Sequence, residues 1–330
     1  MPKTCSHSFY PDGQRAQFLD ARMRLQLADS VAYLLEEMAS QWKETIPGSN
    51  DQIDKMRAGA VYPPSSFGLY YEISNALLAS RRRQALGLFR EFMAERPLQR
   101  SETEILSLDD LGKHESLYKR LMDTDPSQPF HIASASQASI DSFRVRFKRV
   151  AERLFPLVPS WAAEIRALVR QIVLVQAAPG TTTSFAGGSC YMLWGALFLN
   201  PQLCADDVGT LGALSHEAAH SLLFGFTVDE SLVLNDPEEL YASPLRDDPR
   251  PMDGIFHAAY VSARMHWVMS EILKSNILES SEADMVRDAR MADRQSYFAG
   301  YETVQQHGKL SGLGKNILAG AHEYMTQAAV

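Results

Sequence analysis

The chain has 330 residues, 45% of them hydrophobic and 22% charged, with a net charge of -8. That composition belongs to an ordinary globular protein long enough to bury a large core, and its acidic balance argues against nucleic acid as a partner. No apolar run approaches the roughly 20 residues of a membrane span, and residues 1–10 contain no apolar signal-peptide core. The three cysteines, Cys5, Cys190 and Cys204, form no CxxC pair and no closed disulfide set, so a cytoplasmic protein with reduced thiols is expected.

The first 130 residues read as helical. Arg15 to Lys43 places Phe18, Leu19, Met23, Leu25, Leu27, Val31, Leu34, Leu35 and Met38 near helical spacing, and breaks follow at Pro47-Gly48 and Pro63-Pro64. Phe67 to Phe92 predicts one or two helices, with Arg81-Arg82-Arg83 a solvated turn or, as the functional alternative, a grip for an acidic peptide. Gln137 to Leu168 is again helical, interrupted near Pro156 and Pro159.

The texture then changes. Gln171-Ile172-Val173-Leu174-Val175-Gln176 predicts a strand, residues 179–189 a polar loop, and Cys190 to Leu199 a second strand ended by Asn200-Pro201. Thr181-Thr182-Thr183-Ser184 in that loop is either plain surface or the lining of a peptide groove. Asp206 or Asp207 caps the next helix. After Phe226 a polar, proline-rich stretch runs to Gly254, helices resume at about Ile255, and a last helix covers about Gly314 to Thr326. The expected architecture is α+β and mostly helical, with a small central sheet beside the helix after Asp207. Residues 1–135 form a helical N-terminal region and 136–330 a catalytic domain, or both form one unit.

That helix carries His216-Glu217-Ala218-Ala219-His220, an HExxH sequence. Residues four apart share a helical face, so both imidazoles can address one metal ion. A catalytic ion needs a third protein ligand. The positions where the metzincin pattern requires Gly and His hold Leu223 and Phe226, which excludes that family. A thermolysin-like zinc site would use Glu238 or Glu239, 18 and 19 residues past His220; Asp236 and His257 are further candidates. Glu217, about 100° round the helix from His216, is the general base in a peptidase and a ligand-orienting group in an oxygenase. Cys190 and Cys204 read as buried apolar groups, and Tyr241 and Tyr260 as packing residues.

Asp236-Pro237, Tyr241-Ala242-Ser243-Pro244-Leu245-Arg246-Asp247-Asp248-Pro249-Arg250-Pro251, Gly254, His257-Ala258-Ala259-Tyr260-Val261 and Arg264 resemble the HExxH-domain peptide-modification family of ribosomal-peptide gene clusters. The segment Gly195-Ala196-Leu197-Phe198-Leu199-Asn200 is also similar, so the likeness covers about residues 185–270. The resemblance implies a non-haem Fe(II), 2-oxoglutarate-dependent β-hydroxylase acting on a precursor peptide, with a radical SAM maturase as a neighbour. It places His257 as third ligand beside His216 and His220, a departure from the usual two His and one carboxylate. A bidentate guanidinium suits the distal carboxylate of 2-oxoglutarate, and Arg250, then Arg246, is expected there. The alternatives are a zinc metallopeptidase and a non-catalytic peptide-binding partner of a maturase.

Overall fold

A computed structural model describes residues 7–99, 102–123, 131–178, 185–228, 230–243 and 248–328. Among these the chain is mostly helical with a small mixed sheet. The elements in order are α1 (Gly13–Trp42), α2 (Ser49–Arg57), α3 (Ser65–Leu78), α4 (Arg82–Met93), β1 (Glu104–Ser107), α5 (Glu115–Met122), β2 (Ile132–Ser134), α6 (Gln137–Arg153), α7 (Pro159–Leu168), β3 (Gln171–Ala177), β4 (Gly187–Ser189) and β5 (Ala196–Leu199). They continue with α8 (Asp207–Phe226), β6 (Leu240–Tyr241), β7 (Arg250–Pro251), α9 (Met252–Leu273), α10 (Ser280–His307) and α11 (Gly312–Gln327). No helix among the described residues is long and apolar enough to cross a membrane.

Two compact units result, and neither is contiguous in sequence. One comprises residues 17–140 and 166–202, the other residues 1–16, 141–165 and 203–330.

The first unit is organised on β3. Ile172, Val173, Leu174 and Val175 are all buried, the pattern of a strand covered on both faces. β3 pairs in parallel with β1 and β5 and antiparallel with β2, while β4 pairs antiparallel with β5. The parallel partner β1 departs from the expected all-helical first 130 residues. A four-residue strand is too short for its own periodicity to show, and its pairing with β3 supplies what local pattern does not. Cys190 to Leu199 is likewise not one strand. Tyr191–Leu193 forms a 3-10 turn and Gly195 sits at φ +93°, a conformation open to glycine, so only Ala196–Leu199 enters the sheet. The Gly195 carbonyl accepts from the amides of Arg170 and Gln171, fixing the start of β3. Asp20 anchors this corner, accepting from Arg24, from Arg170 at 2.9 Å and from the Trp194 indole at 2.9 Å. Arg81, Arg82 and Arg83 are exposed, and Arg82 pairs with Glu44. Thr181 to Ser184 lie outside the described residues.

The second unit is helical. α9 and α10 form an antiparallel hairpin in which Gly300 meets Ala259 closely, and α8 and α11 pack on α9. A buried ion cluster ties the N-terminal segment to this core. Glu164 accepts from Arg15 at 3.0 Å and from Arg264, and Arg15 and Arg264 also donate to the carbonyls of Ser8, Phe9 and Tyr10. Phe9 stacks on Tyr324, with ring centroids 4.8 Å apart.

Candidate metal centre

α8 starts where Asp206 accepts a hydrogen bond from the Gly209 amide at 2.7 Å, capping the first turn. Val208, Leu211, Leu214, Ala218, Ala219, Leu222 and Leu223 are buried, so the helix is apolar around most of its surface and held by packing. The four-residue step from His216 to His220 brings the two Nε2 atoms to 3.2 Å, with ring centroids 4.9 Å apart. Two nitrogens about 2.1 Å from one ion stand roughly 3.0–3.4 Å apart when the angle between them lies between a right angle and tetrahedral. The HExxH pair therefore fits two ligands of a single divalent ion.

His257 approaches from α9 but on the far side of His220. Its Nδ1 lies 3.0 Å from His220 Nδ1, with ring centroids 5.3 Å apart and ring planes 22° apart, so the two rings meet edge to edge. The two nitrogens of an imidazole point away from each other, so one ion cannot be shared through both. In this arrangement His257 does not complete a three-nitrogen set with His216 and His220. Among the described residues no three His, Cys, Asp or Glu side chains form a metal-ready cluster. On the other side of His257, its Nε2 is 3.9 Å from Asp253 Oδ2, one turn earlier on α9. Phe224 flanks the ring at 5.6 Å.

No protein-family model and no curated protein matches this chain.

Burial pushes all three imidazoles toward the neutral form. His216 is lowered by burial alone; His220 falls well below the usual histidine value through burial and then the charges of His257 and His216. His257 is lowered by burial against the opposing pull of Asp253. Neutral imidazoles keep the lone pair that an ion requires.

Glu217 is buried on a different face, and its carbonyl accepts from the Ser221 hydroxyl at 3.1 Å. Its charge reaches Cys204, whose thiol is pushed up to about 11, chiefly by burial. Cys204 is thus the expected buried apolar group, whereas Cys190 is only partly covered.

The carboxylates weighed as third ligands are exposed. Asp236 Oδ1 accepts from the Glu238 amide at 3.0 Å, and Glu239 Oε2 accepts from the Tyr241 hydroxyl at 2.6 Å. The described residues place none of them in a three-residue cluster with the histidines. Arg250, in β7, is partly buried; its Nη2 lies 2.6 Å from Asp248 Oδ2, and its Nε is enclosed with no partner among the described residues. Arg246 lies outside the described residues.

Three groups in this unit escape a motif-based reading. Asp253 had a usable signal, the four-residue step to His257. Tyr260, one turn beyond His257, has an enclosed hydroxyl with no partner among the described residues, and an orphaned atom leaves no trace in sequence. Glu164, which holds Arg264, lies 100 residues away from it and carries no local signal.

Proposed function

We propose that this chain is a metal-dependent enzyme, an Fe(II)- and 2-oxoglutarate-dependent hydroxylase acting on a side chain of a ribosomally made precursor peptide. The observation that supports it most is the 3.2 Å approach of His216 Nε2 and His220 Nε2 on a buried helix. The resemblance across residues 185–270 supplies the reaction class.

In this reading His216 and His220 hold the ion, and a third ligand comes from a group other than His257 as it stands. Bound iron with 2-oxoglutarate and O₂ would supply the oxidising power to convert an unactivated C–H bond to C–OH, with succinate and CO₂ released. Arg250 takes the distal carboxylate of the cosubstrate. Its enclosed Nε has no acceptor among the described residues, and its Nη2 edge, now on Asp248, is the edge that a second carboxylate would share. Glu217, buried and turned from the His216–His220 face, supports the helix beside the ion rather than binding it. A zinc peptidase would need Glu238 or Glu239, and the tie between Glu239 and Tyr241 weighs against it.

The deciding experiment is anaerobic addition of Fe(II) and then 2-oxoglutarate while the visible spectrum is recorded. A new charge-transfer band that is lost in His216→Ala is expected. Retention of one tight zinc through dialysis with no such band would overturn the oxygenase reading and turn attention to peptidase assays.

A further inference from the structure

We propose that His257 is a positioning residue rather than a ligand, and that Asp253, His257 and His220 form a relay presenting the His220 Nε2 lone pair to the ion beside His216. The inference rests on the metal-dependent reading above and narrows it.

A neutral imidazole carries one N–H, and the partner of each ring nitrogen decides which one bears it. Asp253 Oδ2 lies 3.9 Å from His257 Nε2, too far for a direct hydrogen bond but near enough for its charge to favour the proton on that nitrogen. His257 Nδ1 is then an acceptor. Its neighbour at 3.0 Å is His220 Nδ1, which must donate. The one lone pair left to His220 is on Nε2, and that atom faces His216 Nε2 at 3.2 Å. Once the proton sits on His257 Nε2, each later step leaves a single choice, and the last one delivers the tautomer that metal ligation needs.

The surroundings hold this order in place. His257 is only 7% exposed, meets His220 edge to edge and is flanked by Phe224, so its ring has little room to swing toward the His216 side. A histidine that hydrogen-bonds the outward nitrogen of a ligating histidine also tightens the ligand's orientation and raises its basicity, and loss of such a partner typically weakens metal affinity about 10–100-fold.

The test uses the full chain stripped of metal and titrated with Co(II), reading both affinity and, by X-ray absorption, the number of imidazoles on cobalt. The wild type, His216→Ala, His257→Ala, His257→Gln and Asp253→Asn are compared, with circular dichroism as the check that each is folded. His216→Ala should lower the imidazole count. His257→Ala should weaken binding about 10–100-fold with the wild-type count retained. His257→Gln, whose amide oxygen can accept from His220 Nδ1, should recover part of that loss, and Asp253→Asn should cost less than His257→Ala. Removal of one imidazole by His257→Ala would overturn the proposal, since His257 would then be a ligand. Wild-type affinity in His257→Ala would overturn it as well. Failure of the wild type to bind Co(II) at all is a distinct result, which sinks the metal-dependent reading along with the relay.

Discussion

Two buried side chains on the α9–α10 hairpin, His266 and Asp293, show how single residues set the response of this protein to pH. Gly300 meets Ala259, and one heptad away along each antiparallel helix stand Asp293 and His266. Each has an enclosed atom with no partner among the described residues, Asp293 Oδ2 and His266 Nε2. Burial pushes the Asp293 carboxyl up to about 7; burial, then Arg290 and Arg294, push the His266 imidazole down to about 4. The raised Asp293 stabilises the fold below its unfolded value of about 3.9, and that contribution is lost as pH rises through 7. The depressed His266 works the other way: its contribution is present above about 6.5 and lost as pH falls through 4. Between about pH 4 and 6.5 the folded and unfolded forms of this pair bind the same number of protons, so the two slopes cancel. Asp293→Asn should therefore make stability climb across that window relative to wild type and add up to roughly 4 kcal/mol above pH 7. His266→Gln should do the reverse in the window. Urea unfolding across about pH 4.5–7.5 measures both; Asp293→Asn curves that parallel wild type throughout would refute the assignment. Neither residue could be recognised from the sequence, because a lone Asp or His on a helix reads as polar surface until its neighbours are known.

At the scale of elements, the long helices were legible and the short strands were not. The apolar spacing of Arg15 to Lys43 corresponds to Gly13–Trp42, and the breaks near Pro156 and Pro159 separate α6 from α7. The run Gln171–Gln176 is β3, because a β-branched strand covered on both faces declares itself. β1 and β2, four and three residues long, exist through pairing with β3. The helix cap was narrowed to Asp206 or Asp207; Asp206 is the cap, and Asp207 instead pairs with Arg149 and Arg153. The second unit depends on a tie that joins elements far apart in sequence, Glu164 on α7 holding Arg15 of α1 and Arg264 of α9. Glu164→Ala leaves two buried guanidinium groups without their carboxylate and should cost about 3–5 kcal/mol. Glu164→Gln, which keeps an acceptor, should cost less. Chemical denaturation with an unchanged m-value is the measure, and a loss under ~1 kcal/mol for Glu164→Ala would show the cluster to be energetically minor.

For the whole molecule, the site is a matter of long-range assembly within one unit. α8 and α9 bring His216, His220 and His257 together from positions up to 41 residues apart. An ion that binds the folded chain alone adds stability as RT ln(1 + [L]/Kd), about 2.7 kcal/mol at a hundredfold excess over Kd. Co(II) or Fe(II) should thus raise the melting temperature of the wild type in a concentration-dependent way and leave that of His216→Ala unmoved. An equal rise in both would place the stabilising ion elsewhere. The sequence by itself determined the mostly helical α+β class, the long helices, the central strand and the His216–His220 pair, because each is written locally, in spacing of 3.6, in an unbroken β-branched run or in a step of four residues. A boundary drawn at residue 135, after the helical N-terminal region, could not reveal that residues 166–202 cluster with 17–140, which follows from β3 pairing with β1. Only the tertiary structure decided that His257 meets the outward nitrogen of His220, that Asp253 stands behind it, and that Arg250 rests on Asp248. Those outcomes depend on which atom of a side chain faces which neighbour, and spacing along a chain carries no information about that.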